Sequence, residues 1–171
     1  MTAMPSKNRR RVMGTGYVVV LNAGETIPER NSLVHQAWGD VPFSYFQGHE
    51  SMAESEFLDL KVNKWEINAE WSRNPDGELW IRIEIVREAR VAEWLATHGL
   101  AWMAGMGGVL LIAEMDEGGG ELDEILLARL VSVLSPGNRA FLWCNGLHEI
   151  DGEYISRLPS REDVLERLRR C

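Results

Sequence analysis

Residues 65 to 86, "WEINAEWSRNPDGELWIRIEIV", alternate apolar and polar side chains around a cluster of turn-forming residues. A period of two is the mark of extended chain with one buried face. Trp65, Ile67, Ala69 and Trp71 share one phase, and Leu79, Ile81, Ile83 and Ile85 share the matching phase beyond "RNPDG". The expectation is a β-hairpin whose apolar side enters a core. Its other side would carry Glu66, Asn68 and Glu70 on one arm and Trp80, Arg82, Glu84 and Val86 on the next. One register sets Glu66 against Glu84; a slide of two residues sets Glu70 against Arg82. The second is expected, because like charges directly opposite destabilise a sheet while unlike ones contribute roughly 0.2–1 kcal/mol. Leu58, Leu60 and Val62 alternate in the opposite phase, which calls for a bulge or a break near Asn63.

The remaining segments read as strands with interspersed helices. "YVVVL" at 17 to 21 is a buried first strand rather than the apolar core of an export signal, since Gly14, Thr15, Gly16 and Tyr17 dilute it and Leu21 misfits the cleavage pattern. Leu33, Val34, Ala37 and Trp38 lie at helical spacing, with Pro28 near the start and Gly39 to stop the helix. "VPFSYFQ" is extended, and Ser51 with Glu54 suggests a capping box for a brief helix at 52 to 57. Val91, Trp94, Leu95 and His98 form a helical stripe closed by Gly99. "GVLLIAE" at 108 to 114 is a run of the kind buried on both faces. Residues 121 to 134 are the longest helix, with Leu122, Ile125, Leu126, Leu130 and Val133 inward. "RAFLWC" is a strand with "EYISRL" as its antiparallel neighbour, and the chain closes with an amphipathic helix capped by Ser160. These elements imply an α+β fold: an α/β-type mixed sheet packed with helices. Residues 1–12 are expected to be a basic flexible tail and 13–171 a single α/β globular domain.

Charge narrows the partner. The 171 residues carry a net charge of -8, and removing the tail's Lys7, Arg9, Arg10 and Arg11 from the 18 basic residues leaves 14 against 26 acids, a net of -12. Bulk electrostatics therefore disfavour nucleic acid and anionic membrane and favour a basic protein. The longest apolar runs fall far short of a membrane span of about 20 residues. Two cysteines, Cys144 and Cys171, provide neither a disulfide framework nor a paired zinc motif, which suits a reducing cytoplasm. No cofactor is implied, and a monomer or weak dimer is expected.

Few motifs suggest chemistry. The glycines at 118 to 120 stand between a strand and a helix as a phosphate loop would, but Glu114, Asp116, Glu117, Glu121, Asp123 and Glu124 surround them and would repel phosphate. Acids at a helix start account for Glu121, Asp123 and Glu124, but not for Glu114, Asp116 and Glu117. The spacing is not that of a calcium loop. His148 follows Cys144 at i+4, yet "NG" between them makes a turn, so a small structural thiol is the simpler reading. "DLK" at 59 to 61 matches two positions of a metal-dependent nuclease core and is too common to carry weight. Of seven tryptophans, Trp65, Trp71, Trp94 and Trp143 fall in core phases, whereas Trp80 shares a face with Arg82 and Glu84. That face is either exposed as a binding surface or covered by a helix.

Together these features point to a non-enzymatic, acidic protein-binding domain that sequesters or inhibits a basic partner, such as a toxin or effector, as immunity proteins and antitoxins do. The partner-binding residues expected are Glu66, Glu70, Trp80, Arg82, Glu84, Glu114, Asp116, Glu117 and Glu121. An alternative is a small metal-dependent hydrolase or nuclease holding a metal on Glu66, Glu70 and Glu84, with His49 or His148 as base. The order helix, strand, strand, amphipathic helix in the last third also resembles, in order alone, the layout of acidic secretion chaperones.

Overall fold

The computed structural model describes residues 16–73 and 79–170. The basic segment 1–12 and most of the "RNPDG" cluster lie outside the described residues. Seven strands form one sheet: β1 (Gly16–Leu21), β2 (Phe43–Gln47), β3 (Phe57–Val62), β4 (Ile81–Arg87), β5 (Val109–Met115), β6 (Arg139–Trp143) and β7 (Leu147–Ile150). Their spatial order is β2-β3-β4-β5-β1-β6-β7, with every pairing antiparallel. The helices are α1 (Arg30–Trp38), α2 (Lys64–Ile67), α3 (Ala89–Thr97), α4 (Glu121–Leu134), α5 (Gly152–Ser156) and α6 (Arg161–Arg170). The α+β class expected from the sequence is found, with a wholly antiparallel sheet in place of the mixed one.

β1 and β5 are apolar at nearly every position because both of their faces are covered. Tyr17, Val19, Leu111 and Ala113 meet a layer built from α1, α4 and α6. Val18, Val20, Leu110 and Ile112 meet α3 and the 3-10 turn Ala101–Met103, which contribute Val91, Leu95 and Met103. Trp38 Nε1–H donates to Leu126 O at 2.9 Å, tying α1 to α4. Two carbonyls in the last turn of α1 accept from cations: Arg129 Nε donates to Ala37 O at 2.8 Å and Arg161 Nη1 to His35 O at 3.0 Å. Gly107 is required by close approach, since a Cβ there would sit 2.8 Å from Leu21 O.

The two sides of the sheet are covered unequally. The α3-side core draws Val86 from the end of β4 and nothing from β2 or β3. Among the described residues, the side chains of β2, β3 and all of β4 but Val86 on that face take no part in this apolar core.

Four local expectations are overturned. Residues 65–71 are not the first arm of a hairpin: Lys64–Ile67 is helical and Ala69–Arg73 is a 3-10 turn, while β4 pairs with β3 and β5 instead. Lys64, Ile67 and Trp71 also fit helical spacing, and long-range partners select that option. Trp71 Nε1–H donates to Leu168 O at 2.7 Å and Asn68 Nδ2 to Arg169 O at 2.6 Å, satisfying carbonyls at the end of α6. Trp65 is consequently 51% exposed rather than core. No helix forms at 52–57; Glu54 turns to His49 Nε2 at 2.9 Å and Phe57 already belongs to β3. The neighbour of β6 is Leu147–Ile150, placed there by the turn at Asn145 (φ 49) and Gly146 (φ 105), while "EYIS" is helical and capped by Asp151. The break near Asn63 is present, where β3 gives way to α2.

Candidate functional site

The β2–β4 half of the sheet's α3-side face presents an ordered array of charge and aromatic rings. Cross-strand register puts Phe46, Asp59, Arg82 and Glu114 in one row across β2, β3, β4 and β5. Phe57, Glu84 and Ile112 form the row beside it. Arg82 binds Asp59 through Nε and Nη2, both at 2.7 Å, and its guanidinium lies 4.9 Å from the Phe57 ring centre. The hydrogen bond to Asp59 raises the Arg82 pKa above the usual arginine value; partial burial opposes this, and the negative fields of Asp59, Glu84 and Glu114 add to it. Three carboxylates thus act on one guanidinium. Asp116 N–H donates to Trp80 O at 3.1 Å, which brings a fourth acid to this end of the sheet.

Trp80 enters β4 in the same phase as Arg82. Its ring stands 5.3 Å from Phe46 and 5.3 Å from Lys61 Nζ. Phe46 is 51% exposed, whereas Trp80 is half-buried. The face combines exposed Phe46 and half-buried Trp80 with Glu84, Glu114 and Asp116, beside Lys61 and the Asp59–Arg82 pair. Such a surface can take the stem of a long cationic side chain on its rings and the charge on its carboxylates.

The residues expected to act together are only partly assembled. Trp80, Arg82, Glu84, Glu114 and Asp116 share this face or its rim. Glu66 and Glu70 do not: they belong to the helical segment against α6, and Glu70 lies 3.6 Å from Arg73 rather than opposite Arg82. Glu121 begins α4 on the other side of the sheet and lies 3.9 Å from Arg167, while Glu117 is exposed in the preceding turn. Phe46, Phe57, Asp59 and Lys61 also lie on this face, Asp59 and Lys61 having been weighed only within "DLK". Their signal was present in the alternation of Asp59 and Lys61 with Leu58, Leu60 and Val62.

The groups considered for catalysis are dispersed. Glu66, Glu70 and Glu84 do not share a face, and among the described residues no three His, Cys, Asp or Glu side chains are grouped to hold a metal ion. His148 Nε2 contacts the carbonyl of Cys144, at 3.2 Å, rather than its thiol. His98 stacks on Trp94 at 4.0 Å, with Trp143 edge-on at 5.6 Å. Among the described residues no helix is long and apolar enough to cross a membrane. No family model, curated protein or solved structure matches this chain.

Proposed function

We propose that this protein is an acidic, non-enzymatic binding domain that sequesters or inhibits a basic protein, in the manner of an immunity protein or antitoxin. The observation that carries this reading is the polar β2–β4 face, where exposed Phe46 packs on half-buried Trp80 beside Glu84, Glu114 and Asp116. Tryptophan in such a setting is a frequent energetic anchor. The surrounding carboxylates would speed encounter with a cationic surface. Glu117 and Glu121 lie outside the face, where their charge steers rather than holds.

The test uses a purified basic partner and two variants. Trp80→Ala should weaken the complex by about 2 kcal/mol or more, while its urea midpoint stays close to that of the parent. Glu117→Lys with Glu121→Lys should chiefly slow association and flatten its salt dependence. A loss of about 3–5 kcal/mol of folding stability in Trp80→Ala, the cost of deleting a core ring, would count against an interaction role for this face.

A further inference from the structure

β2 lies at one end of the sheet and, among the described residues, pairs on one side only. Two bonds show which of its backbone groups face β3: Gly48 N–H donates to Phe57 O at 3.2 Å, and Asn63 N–H donates to Pro42 O at 2.9 Å. Ladder bonds in an antiparallel pair recur at every second residue. Pro42, Ser44, Phe46 and Gly48 therefore turn inward, and Phe43, Tyr45 and Gln47 direct their N–H and C=O groups outward. Native edge strands are commonly blunted by lysine, proline, a bulge or a covering element. The sequence "FSYFQ" has none of the residue devices, and it leaves Tyr45 47% and Phe46 51% exposed on opposite sides of the strand.

Charge at the two ends of this edge has one sign in excess. Asp40 precedes β2, and Glu50, Glu54 and Glu56 follow it, all exposed. Asp40 contacts His35 at 3.0 Å, Glu54 contacts His49 at 2.9 Å and Glu56 lies 3.8 Å from Arg90. On the helix side, Arg30 stacks on Tyr45 at 3.6 Å and donates to Gln47 Oε1 at 2.6 Å, so an added strand must place an uncharged or acidic residue there. A second copy of the chain fits poorly. A two-fold pairing centred on Tyr45 would bring Asp40 of one copy against Glu50 of the other.

We propose that β2 is a docking edge for an extended segment of the partner, with an alternating β-branched or aromatic centre and Lys or Arg at each end. The segment would bond to Phe43, Tyr45 and Gln47 as an eighth strand, its cationic ends meeting Asp40 and the 50–56 acids. The cationic character rests on the proposed function; the edge geometry does not depend on Trp80.

The probe is a synthetic peptide of about nine residues with a Val/Thr centre and Lys-Arg at both ends. The expected result is saturable binding with amide exchange at Phe43, Tyr45 and Gln47 slowed about tenfold or more. Tyr45→Pro removes an outward N–H and no β3 bond, so it should fold and lose peptide binding at least about tenfold. N-methylating the peptide at its bonded positions should do the same and needs no variant protein. The proposal is overturned by no saturable binding below about 1 mM, by binding that leaves those three amides unprotected, or by their protection in a peptide-free dimer. If the peptide fails while a folded basic protein still binds through Trp80, the edge is refuted and the β2–β4 face reading stands; loss of both refutes both.

Discussion

Arg82 grips both oxygens of Asp59 across neighbouring strands, Nε to Oδ1 and Nη2 to Oδ2, each at 2.7 Å. Asp59 is 7% exposed, so this guanidinium is what makes a carboxylate tolerable in the middle of β3. Arg82→Ala should therefore destabilise the fold by about 1–3 kcal/mol, as read from urea denaturation. Arg82→Met combined with Asp59→Leu should recover most of that loss, because a paired charge can often be exchanged for matched apolar groups. A single variant as stable as the parent would show that Asp59 does not depend on the pair.

A second ion pair is buried more deeply. Lys64 Nζ lies 2.6 Å from Asp123 Oδ1, with the two side chains 3% and 6% exposed. Asp123 also accepts the Gly120 N–H at 3.2 Å, at the start of α4. Lys64→Met leaves that carboxylate buried without its cation and should cost about 3–5 kcal/mol. Lys64→Met with Asp123→Leu should still fall short of the parent by about 1 kcal/mol, because the bond at the helix start is lost. Full recovery in the double variant would show that this bond contributes nothing.

Alkaline stability should depend on Tyr17. Burial, and then its hydrogen bond to Tyr154 at 2.7 Å, raise the phenol pKa far above its ordinary value. The unfolded chain ionises at about pH 10 while the folded one holds its proton. Stability from this group is therefore complete below about pH 10 and falls as pH rises from there toward the folded pKa. Tyr17→Phe should cost about 0.5–1.5 kcal/mol near neutrality and flatten the alkaline decline. Equal slopes for parent and variant in denaturant melts above pH 10 would contradict it.

Glu88, between β4 and α3, has φ 51 and ψ -123, a conformation that favours glycine. Its N–H donates to Gly108 O at 2.9 Å, a bond that substitution to glycine keeps. Glu88→Gly should raise stability by about 1 kcal/mol at an unchanged denaturant slope. A lower midpoint would mean that the glutamate side chain offsets the backbone strain.

Local chemistry alone determined a large part of this molecule. The apolar runs of β1 and β5 require cover on both faces, and the stripe of α4 with acids in its first turn defines that helix from Glu121 to Leu134. Period and capping act within a few residues, so they are legible in the chain. The tertiary structure decided what depends on distant partners. Ile67 and Trp71 are four residues apart, a spacing that suits a strand and a helix alike, and the terminal carbonyls of α6 together with Asp123 chose the helical form. It likewise decided that β4 lies between β3 and β5, which brings Arg82 to Asp59 and sets Trp80 beside Phe46. Strand partnership and helix cover are contacts between segments remote in sequence, and alternation along one strand specifies that a second face exists without specifying what will meet it.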